Sequence, residues 1–353
     1  MRAIVLTKQG SPVAGNVEVR DDWADPGDPG AGEVRVRTLA SAFNHMDIWV
    51  GAGLPGATLE FPRISGADGC GVVEAVGAGV DQAWVGRRVV VNAAIAAPVR
   101  ARPGDPPPST LAPSYHLLGE TIHGMHRAAF CVPVDNVADV GDTDPAEAAA
   151  FGLAFLTAWS MLVTKAQLRA GQSVLITGIG GGVATAALAI ARHFGCPTIV
   201  TSRHQWKLDK AGELGATHGV LDQGSDTGED WSREVRTLTG KRGVDVAVDS
   251  IGRATHLSCI KALARGGAYV TCGCTTGPAA TTDLARIFWN QLRVLGSTMG
   301  SPAEFGEVVS LLRSGALRPV VDRVYTPEEA PAAYARLESG EQFGKLVIRW
   351  AAG

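Results

Sequence analysis

The chain carries its candidate proton and hydrogen-bond donors in two short stretches of its amino-terminal half. Asn44, His45 and Asp47 lie within four residues of one another, and Tyr115 and His116 form a second group. An amide, an imidazole or a phenol can donate a hydrogen bond to an oxygen that gains negative charge during a reaction, and an imidazole can also deliver a proton near neutral pH. We therefore take these five residues as the candidate catalytic residues. Asn44 and His45 are preferred, although an isolated histidine is more often structural than catalytic.

A glycine-rich stretch follows an apolar segment in the middle of the chain. Residues 172–177 (QSVLIT) predict a buried strand, and residues 183–194 predict an Ala-rich helix. The turn between them contributes Gly178, Gly180, Gly181, Gly182 and Val183. Glycines at this point permit a tight turn and let backbone N–H groups approach a pyrophosphate at the start of a helix. Because the run stands between a strand and a helix, it predicts a dinucleotide site rather than a purely structural turn.

The residues after the next predicted strand indicate which dinucleotide binds. NAD-selective sites place an acidic residue there for the ribose 2′-hydroxyl. Here residues 198–201 are followed by Ser202 and Arg203, with Lys207 one turn further on. A hydroxyl and two cations attract a 2′-phosphate, so the sequence predicts NADPH. The alternative is that Arg203 and Lys207 belong to an ordinary solvated helix face.

Composition is that of a globular protein with two domains. The chain has 353 residues, of which 46% are hydrophobic and 19% charged, with a formal net charge of −3. This balance gives no reason to expect nucleic acid or an anionic membrane as a partner. The first residues predict a short strand without the apolar region of a signal peptide, and apolar runs such as residues 174–177 are too short to cross a bilayer. We expect a cytoplasmic protein that acts on a small molecule.

Two kinds of pattern divide the chain. Up to about Val140, short strand-like runs such as residues 33–37, 71–76 and 88–91 predict a β-barrel-like domain. A helix is predicted from Asp144, and strands and helices then alternate, which predicts a parallel sheet covered on both faces. The proline-rich segment at residues 96–113 is predicted to be an irregular loop. The last fifty residues predict two helices and a closing strand.

Several motifs along the chain resemble one known family. They are residues 41–47 (SAFNHMD), 51–55 (GAGLP), 66–77 (GADGCGVVEAVG), 85–89 (VGRRV), 153–159 (LAFLTAW), 178–184 (GIGGGVA), 296–300 (GSTMG) and 343–347 (FGKLV). Together they resemble the medium-chain dehydrogenase/reductase superfamily, in particular its zinc-independent quinone oxidoreductase-like and enoyl reductase-like branch. The resemblance implies an α/β fold with a GroES-like β-barrel catalytic domain (residues 1–154 and 301–353). It also implies a Rossmann cofactor domain with a doubly wound parallel sheet (residues 155–300).

The chain departs from the zinc enzymes of that family at their metal ligands. Those enzymes have a cysteine where this chain has Asn44, a His-Glu pair where it has Ala67 and Asp68, and a further cysteine near Leu153. Catalytic zinc needs three nitrogen, sulfur or oxygen ligands from the protein. The stretch that corresponds to the family's structural zinc lobe, residues 92–120, has no cysteine. The comparison with the family therefore implies that both zinc sites are absent, and we expect no metal.

The resemblance also implies where the cofactor lies. It places Thr157 against the nicotinamide ring, and His45 and Lys345 near the pyrophosphate. The turns that it assigns to the ribose and the nicotinamide contain Ser250, Gly273, Ser297 and Met299.

Zinc-free members of the superfamily typically reduce an activated C=C bond or a quinone. We therefore expect an NADPH-dependent reductase of an enone, an enoyl thioester or a quinone, with biosynthetic specialisation as one variant. A zinc-type alcohol dehydrogenase and a non-catalytic NADPH-binding protein remain as alternatives. The family generally pairs through the last strand of the nucleotide sheet, here residues 293–297, so we expect a homodimer.

Overall fold

The computed structural model describes residues 1–54, 56, 58–96, 110–112, 115–223 and 230–350. These residues divide into two compact units, one made of Met1–Leu153 and Gly300–Gly353 and the other of Ala154–Met299. The boundaries predicted from sequence lie one residue away from these. Most of the loop predicted at residues 96–113 lies outside the described residues.

The described chain contains seventeen strands and nine α-helices. The strands are β1 Ala3–Leu6, β2 Val17–Arg20, β3 Glu33–Ala42, β4 Asp68–Val76, β5 Arg88–Val91, β6 Ala94–Ala96, β7 Tyr115–Leu117, β8 Ala129–Pro133, β9 Val137–Asp139, β10 Val174–Ile176, β11 Thr198–Ser202, β12 His218–Leu221, β13 Val244–Asp249, β14 Leu263–Thr271, β15 Arg293–Gly296, β16 Val321–Tyr325 and β17 Lys345–Arg349. The helices are α1 His45–Ala52, α2 Pro145–Trp159, α3 Gly182–His193, α4 Gln205–Glu213, α5 Ser232–Leu238, α6 Arg253–Ala262, α7 Leu284–Asn290, α8 Pro302–Arg313 and α9 Ala330–Ser339.

The first unit is organised around strand β3. Inward residues of β3 such as Val34 and Val36 are fully buried, whereas Arg35 and Arg37 alternate with them and pair with Glu74 on the other face. Strand β3 pairs antiparallel with β4, β8 and β17, within a sheet of order β16-β17-β3-β4-β5-β9. The predicted antiparallel, barrel-like catalytic domain is confirmed.

The second unit is a parallel sheet of six strands in the order β12-β11-β10-β13-β14-β15. Its central strands, such as β10 and β13, are buried apolar runs, as expected for a sheet covered by helices on both faces. The order reverses between β10 and β13, and the turns that follow these two strands are where doubly wound sheets bind their ligands. The predicted Rossmann architecture is confirmed.

One helix in the described part of the chain is long and apolar enough to span a bilayer. It comprises α2 and a π-helical continuation, together Pro145–Lys165. Of its most apolar window, 83% is buried inside the protein, which is the behaviour of a core helix.

Candidate active site

Three strand ends of the first unit meet and bring Asn44, Asp68 and Lys345 together. In the antiparallel pair of β3 and β4, Ala42 is the partner of Asp68, and in the pair of β3 and β17 it is the partner of Val347. The carboxyl end of β3 therefore lies beside the first residues of β4 and β17. Asn44, two residues after the end of β3, faces both charged residues.

These three side chains form a closed hydrogen-bonded set, here called the lysine cluster (Asn44, Asp68 and Lys345). The Lys345 ammonium donates to Asn44 Oδ1 at 2.6 Å and to Asp68 Oδ2 at 2.8 Å. Asn44 Nδ2 donates to the same Asp68 oxygen at 2.8 Å. Asp68 is completely buried and Lys345 is 4% exposed, so each charge depends on the other for its partner. The contacts define the orientation of the Asn44 amide, because its oxygen must face the ammonium.

The second oxygen of Asp68 is held by helix α2. The backbone N–H of Leu153 donates to Asp68 Oδ1 at 2.6 Å. This approach requires a glycine at the preceding position, since a Cβ on Gly152 would lie 2.5 Å from the same oxygen. Both carboxylate oxygens of Asp68 are thus occupied by donors of the chain.

Asp47 positions the backbone on which Asn44 lies. Its Oδ2 accepts from the Asn44 N–H at 2.7 Å, and its Oδ1 accepts from the Gly66 N–H at 2.8 Å. The carboxyl is fully buried, and this burial raises its pKa to about 6, although the two backbone hydrogen bonds and Lys345 act in the opposite direction. Asp47 therefore ties the start of α1 to the loop before β4. Its neighbour His45 is exposed and packs edge-on against Trp49, with ring centroids 5.2 Å apart.

The second predicted group, Tyr115 and His116, lies in a different sheet of the same unit. Both residues belong to β7, whose one partner strand within the described residues is β6, with Ile95 opposite His116. Tyr115 is half-buried, and burial raises the pKa of its phenol, whereas His116 is exposed. Among the described residues, no hydrogen bond links this pair to the lysine cluster.

A buried histidine that sequence reasoning did not select lies in the same unit. His126 Nδ1 is 2.8 Å from Ser41 Oγ, which also accepts from the Trp350 indole N–H at 2.8 Å. Burial, together with a smaller effect of the Lys345 charge, lowers the pKa of His126 to about 3. Its Nε2 is buried without a hydrogen-bond partner among the described residues.

In the second unit, the predicted glycine turn has the geometry of a phosphate cradle. Gly178 and Gly180 have φ of +62° and +111°, and a Cβ on Gly178 would lie 2.7 Å from Ile251 Cδ1. Helix α3 starts directly after the turn at Gly182, and no side chain in the part of the chain that the structure describes caps its first N–H groups. Bare N–H groups at a helix start suit a pyrophosphate, so the described residues fit the implied cofactor.

The turn after β13, which contains Ser250, is held by Asp249. This fully buried carboxylate accepts five hydrogen bonds. Their donors are Thr177 Oγ1, the Ile251 and Gly252 N–H groups, Thr255 Oγ1 and Tyr269 Oη. Ends of β10, β13 and β14 are thereby joined beside the glycine turn.

The residues predicted to choose the cofactor lie at the end of β11. Ser202 is buried and its Oγ accepts from the His204 N–H at 3.1 Å, while Arg203 is exposed. The Lys207 ammonium lies 5.2 Å from the centre of the Trp206 ring. Residues 198–207 contain no carboxylate, so a 2′-phosphate meets no repulsion from this segment.

The residues that the resemblance assigns to the nicotinamide end also lie in the second unit. Thr157 is buried, and its hydroxyl donates to Met299 Sδ at 3.9 Å. Ser297 donates its N–H to the Thr271 carbonyl at the end of β14, and Gly273 donates its N–H to Thr271 Oγ1. The structure thus brings Thr157 together with Met299, and Ser297 together with Gly273 around Thr271.

Zinc does not fit the lysine cluster. An ammonium already occupies Asp68, the one carboxylate at the position where the zinc enzymes of the resembling family bind metal. Within the described ranges, no group of three or more histidine, cysteine and acidic side chains could hold a metal ion. The absence of metal remains a prediction.

Comparison with known proteins gives two family models and many relatives. The model described as an alcohol dehydrogenase GroES-like domain matches residues 30–142, and the model described as a zinc-binding dehydrogenase matches residues 182–314. A zinc-type alcohol dehydrogenase-like protein of Leptosphaeria maculans is 30% identical over 340 residues, which cover 91% of each chain. A 2-haloacrylate reductase of a Burkholderia species is 28% identical and is covered over 98% of both chains. A crystal structure of an NAD-dependent alcohol dehydrogenase is 38% identical, with a TM-score of 0.90 and coverage of 99% and 100%.

Proposed function

The chain belongs to the medium-chain dehydrogenase/reductase superfamily, and we propose that this oxidoreductase reduces an activated C=C bond or a quinone with NADPH and without zinc. It lies in the quinone oxidoreductase-like and enoyl reductase-like branch of that superfamily. The observation that carries the proposal is the lysine cluster. The Lys345 ammonium forms an ion pair with Asp68, at the position where a zinc enzyme would bind its metal.

The reaction requires a hydride, a proton and a donor for the oxygen that becomes negative. NADPH, when bound, would supply the hydride for the β-carbon of the acceptor and would be oxidised to NADP⁺. The C=C bond is broken to a single bond, the electron pair moves onto the carbonyl oxygen as an enolate, and a proton at the α-carbon completes the reduction. Asn44, as a hydrogen-bond donor, and His45, as a hydrogen-bond or proton donor, are the preferred residues. Tyr115 and His116 are the second pair.

The choice of NADPH is supported by the residues at the end of β11. Arg203 and Lys207 provide positive charge, and Ser202 provides a hydroxyl in place of the acid that selects NAD. The solved relative named an NAD-dependent alcohol dehydrogenase makes NADH the competing cofactor. Titration of the purified protein with each dinucleotide decides between them. Binding of NADH at least as tight as that of NADPH would refute the choice.

The test of the reaction is oxidation of NADPH in the presence of defined acceptors. The panel contains an enone, an enoyl thioester, a quinone and 2-haloacrylate, the last because of the Burkholderia relative. We expect turnover with at least one acceptor in enzyme treated with a chelator. Activity with an alcohol and stoichiometric zinc would instead establish the zinc-type alcohol dehydrogenase, which the name of the Leptosphaeria relative favours. Tight NADPH binding without any turnover would indicate a non-catalytic binding protein.

We also propose a homodimer formed through strand β15. This strand lies at the edge of the six-stranded sheet, and no other strand of the described chain pairs with its outer side. Helix α7, next to it in sequence, exposes Phe288 and Trp289 by 68% and 70%. Large apolar side chains that face solvent beside an open edge suit a symmetric contact with a second copy.

A further inference from the structure

We propose that Lys345 acts on the substrate side of the reaction, as the positioning residue that turns the Asn44 amide N–H toward the substrate oxygen. The resemblance instead implies that Lys345 binds the cofactor pyrophosphate. The part of the proposal that concerns substrate rests on the proposed reductase function. The part that concerns cofactor binding does not.

The contacts of Lys345 hold its ammonium at Asn44 and Asp68, which take up two of its three N–H groups. Lys345 is 4% exposed, and its ammonium donates to Asn44 and Asp68, which are its two acceptors within the described residues. If the ammonium moved to a phosphate, the fully buried Asp68 would lose its countercharge. Removing one partner of a buried ion pair is strongly unfavourable, so the lysine is held where it is.

The same contacts determine what Asn44 can offer. Its oxygen accepts from Lys345, and one N–H of its Nδ2 donates to Asp68. The side chain amide has one further N–H, and Asn44 is half-buried whereas its two partners are buried. The lysine cluster therefore presents an amide donor at its more accessible end.

Lys345 prevents the Asn44 amide from rotating so that its oxygen, rather than its N–H, faces the substrate. An asparagine amide can rotate by 180°, which would present its oxygen and repel an enolate. With the ammonium present, such a rotation would place two N–H donors against each other. The ammonium also polarises the amide through the bond to Oδ1, which strengthens the donor at the opposite end.

The experiment compares cofactor binding with turnover in the full-length protein. We expect Lys345→Met to leave the dissociation constant for NADPH, measured by fluorescence titration, within about twofold of wild type. We expect kcat to fall by about 100-fold, which is the effect of losing one aligned oxyanion donor. Lys261→Met is the matched control, because Lys261 pairs with Asp230 in the second unit and should change neither quantity.

A double-mutant cycle separates positioning from mere structural support. If Lys345 acts through Asn44, then Lys345→Met should cost less than about threefold in kcat when Asn44 is already alanine. Independent, multiplicative losses would overturn the positioning role. An NADPH dissociation constant raised tenfold or more by Lys345→Met would overturn the proposal in favour of the pyrophosphate role.

Two further arrangements keep the test decisive. If Lys345→Met does not fold, the double variant Lys345→Met with Asp68→Asn removes the pair without stranding a charge, and the same two outcomes apply. If wild type reduces none of the acceptors, the proposed function fails. The NADPH titration of the variant still decides whether Lys345 serves the cofactor.

Discussion

Replacing Gly152 by alanine should destabilise the protein, although the same change in an ordinary helix stabilises it. Gly152 lies inside α2, where alanine is favoured over glycine by about 1 kcal/mol. The added Cβ would lie 2.5 Å from Asp68 Oδ1, so the carboxylate must move away and lose the Leu153 N–H bond of 2.6 Å. A hydrogen bond to a charged group contributes about 1.5–3 kcal/mol. The difference predicts a net loss of roughly 0.5–2 kcal/mol in the free energy of unfolding.

The measurement is urea unfolding of the full-length protein, monitored by a spectroscopic probe in the first unit. Gly306→Ala is the matched control, because Gly306 also lies inside a helix of the same unit and a Cβ there would meet nothing within 4 Å. We expect the two variants to shift the urea midpoint in opposite directions, downward for Gly152→Ala and upward for Gly306→Ala. If both rise together, the contact between Asp68 and α2 does not stabilise the fold as argued.

Three further predictions concern pH, cofactor and assembly. The pKa of His126 is lowered to about 3, so the folded protein loses stability as pH falls from 6.5 through 3, by about 1.4 kcal/mol per pH unit. In urea titrations at stepped pH, His126→Gln should lose less stability than wild type over that range. Parallel curves of stability against pH would contradict this. Arg203→Ala should weaken NADPH binding about tenfold without affecting NADH, and equal losses for both cofactors would show that no 2′-phosphate contact exists. Light scattering should show a monomer for Trp289→Lys, whereas Val324→Lys, which also replaces an exposed apolar side chain, should remain a dimer. A monomeric wild-type protein would refute the proposed dimer.

The fold was largely predictable because its signals are local. Strand β5 has the predicted bounds, residues 88–91, since it is a short and mostly buried apolar run. The glycine turn could be placed for the same reason, as it stands between a strand and a helix. Strand β3 continues to Ala42, beyond the predicted residues 33–37. Its pairing with β4 and β17 extends it, and the local sequence pattern does not indicate this extension.

The candidate site was predictable residue by residue but not as an arrangement. The residue types of Asn44 and Asp47 indicate candidate site residues, whereas the sequence shows Asp68 only at the position of a replaced zinc ligand. Nothing in the local sequence links Asp68 to Lys345, which lies 277 residues away and reaches it only because β4 and β17 start at the same end of β3. Conversely, Tyr115 and His116 are neighbours by sequence, but their strand belongs to another sheet.

The buried carboxylate of Asp249 has a consequence for how the second unit opens. Its five donors come from the end of β10, the turn after β13, the start of α6 and strand β14, so none of these segments can separate without stranding an anion in the interior. The amide hydrogens of Ile251 and Gly252 should consequently exchange with deuterium only when the whole unit unfolds, and those of edge strand β12 should exchange earlier by local fraying. The centre of the sheet, beside the turn assigned to cofactor phosphate, would then open as one cooperative block, and cofactor exchange would have to proceed without disturbing it.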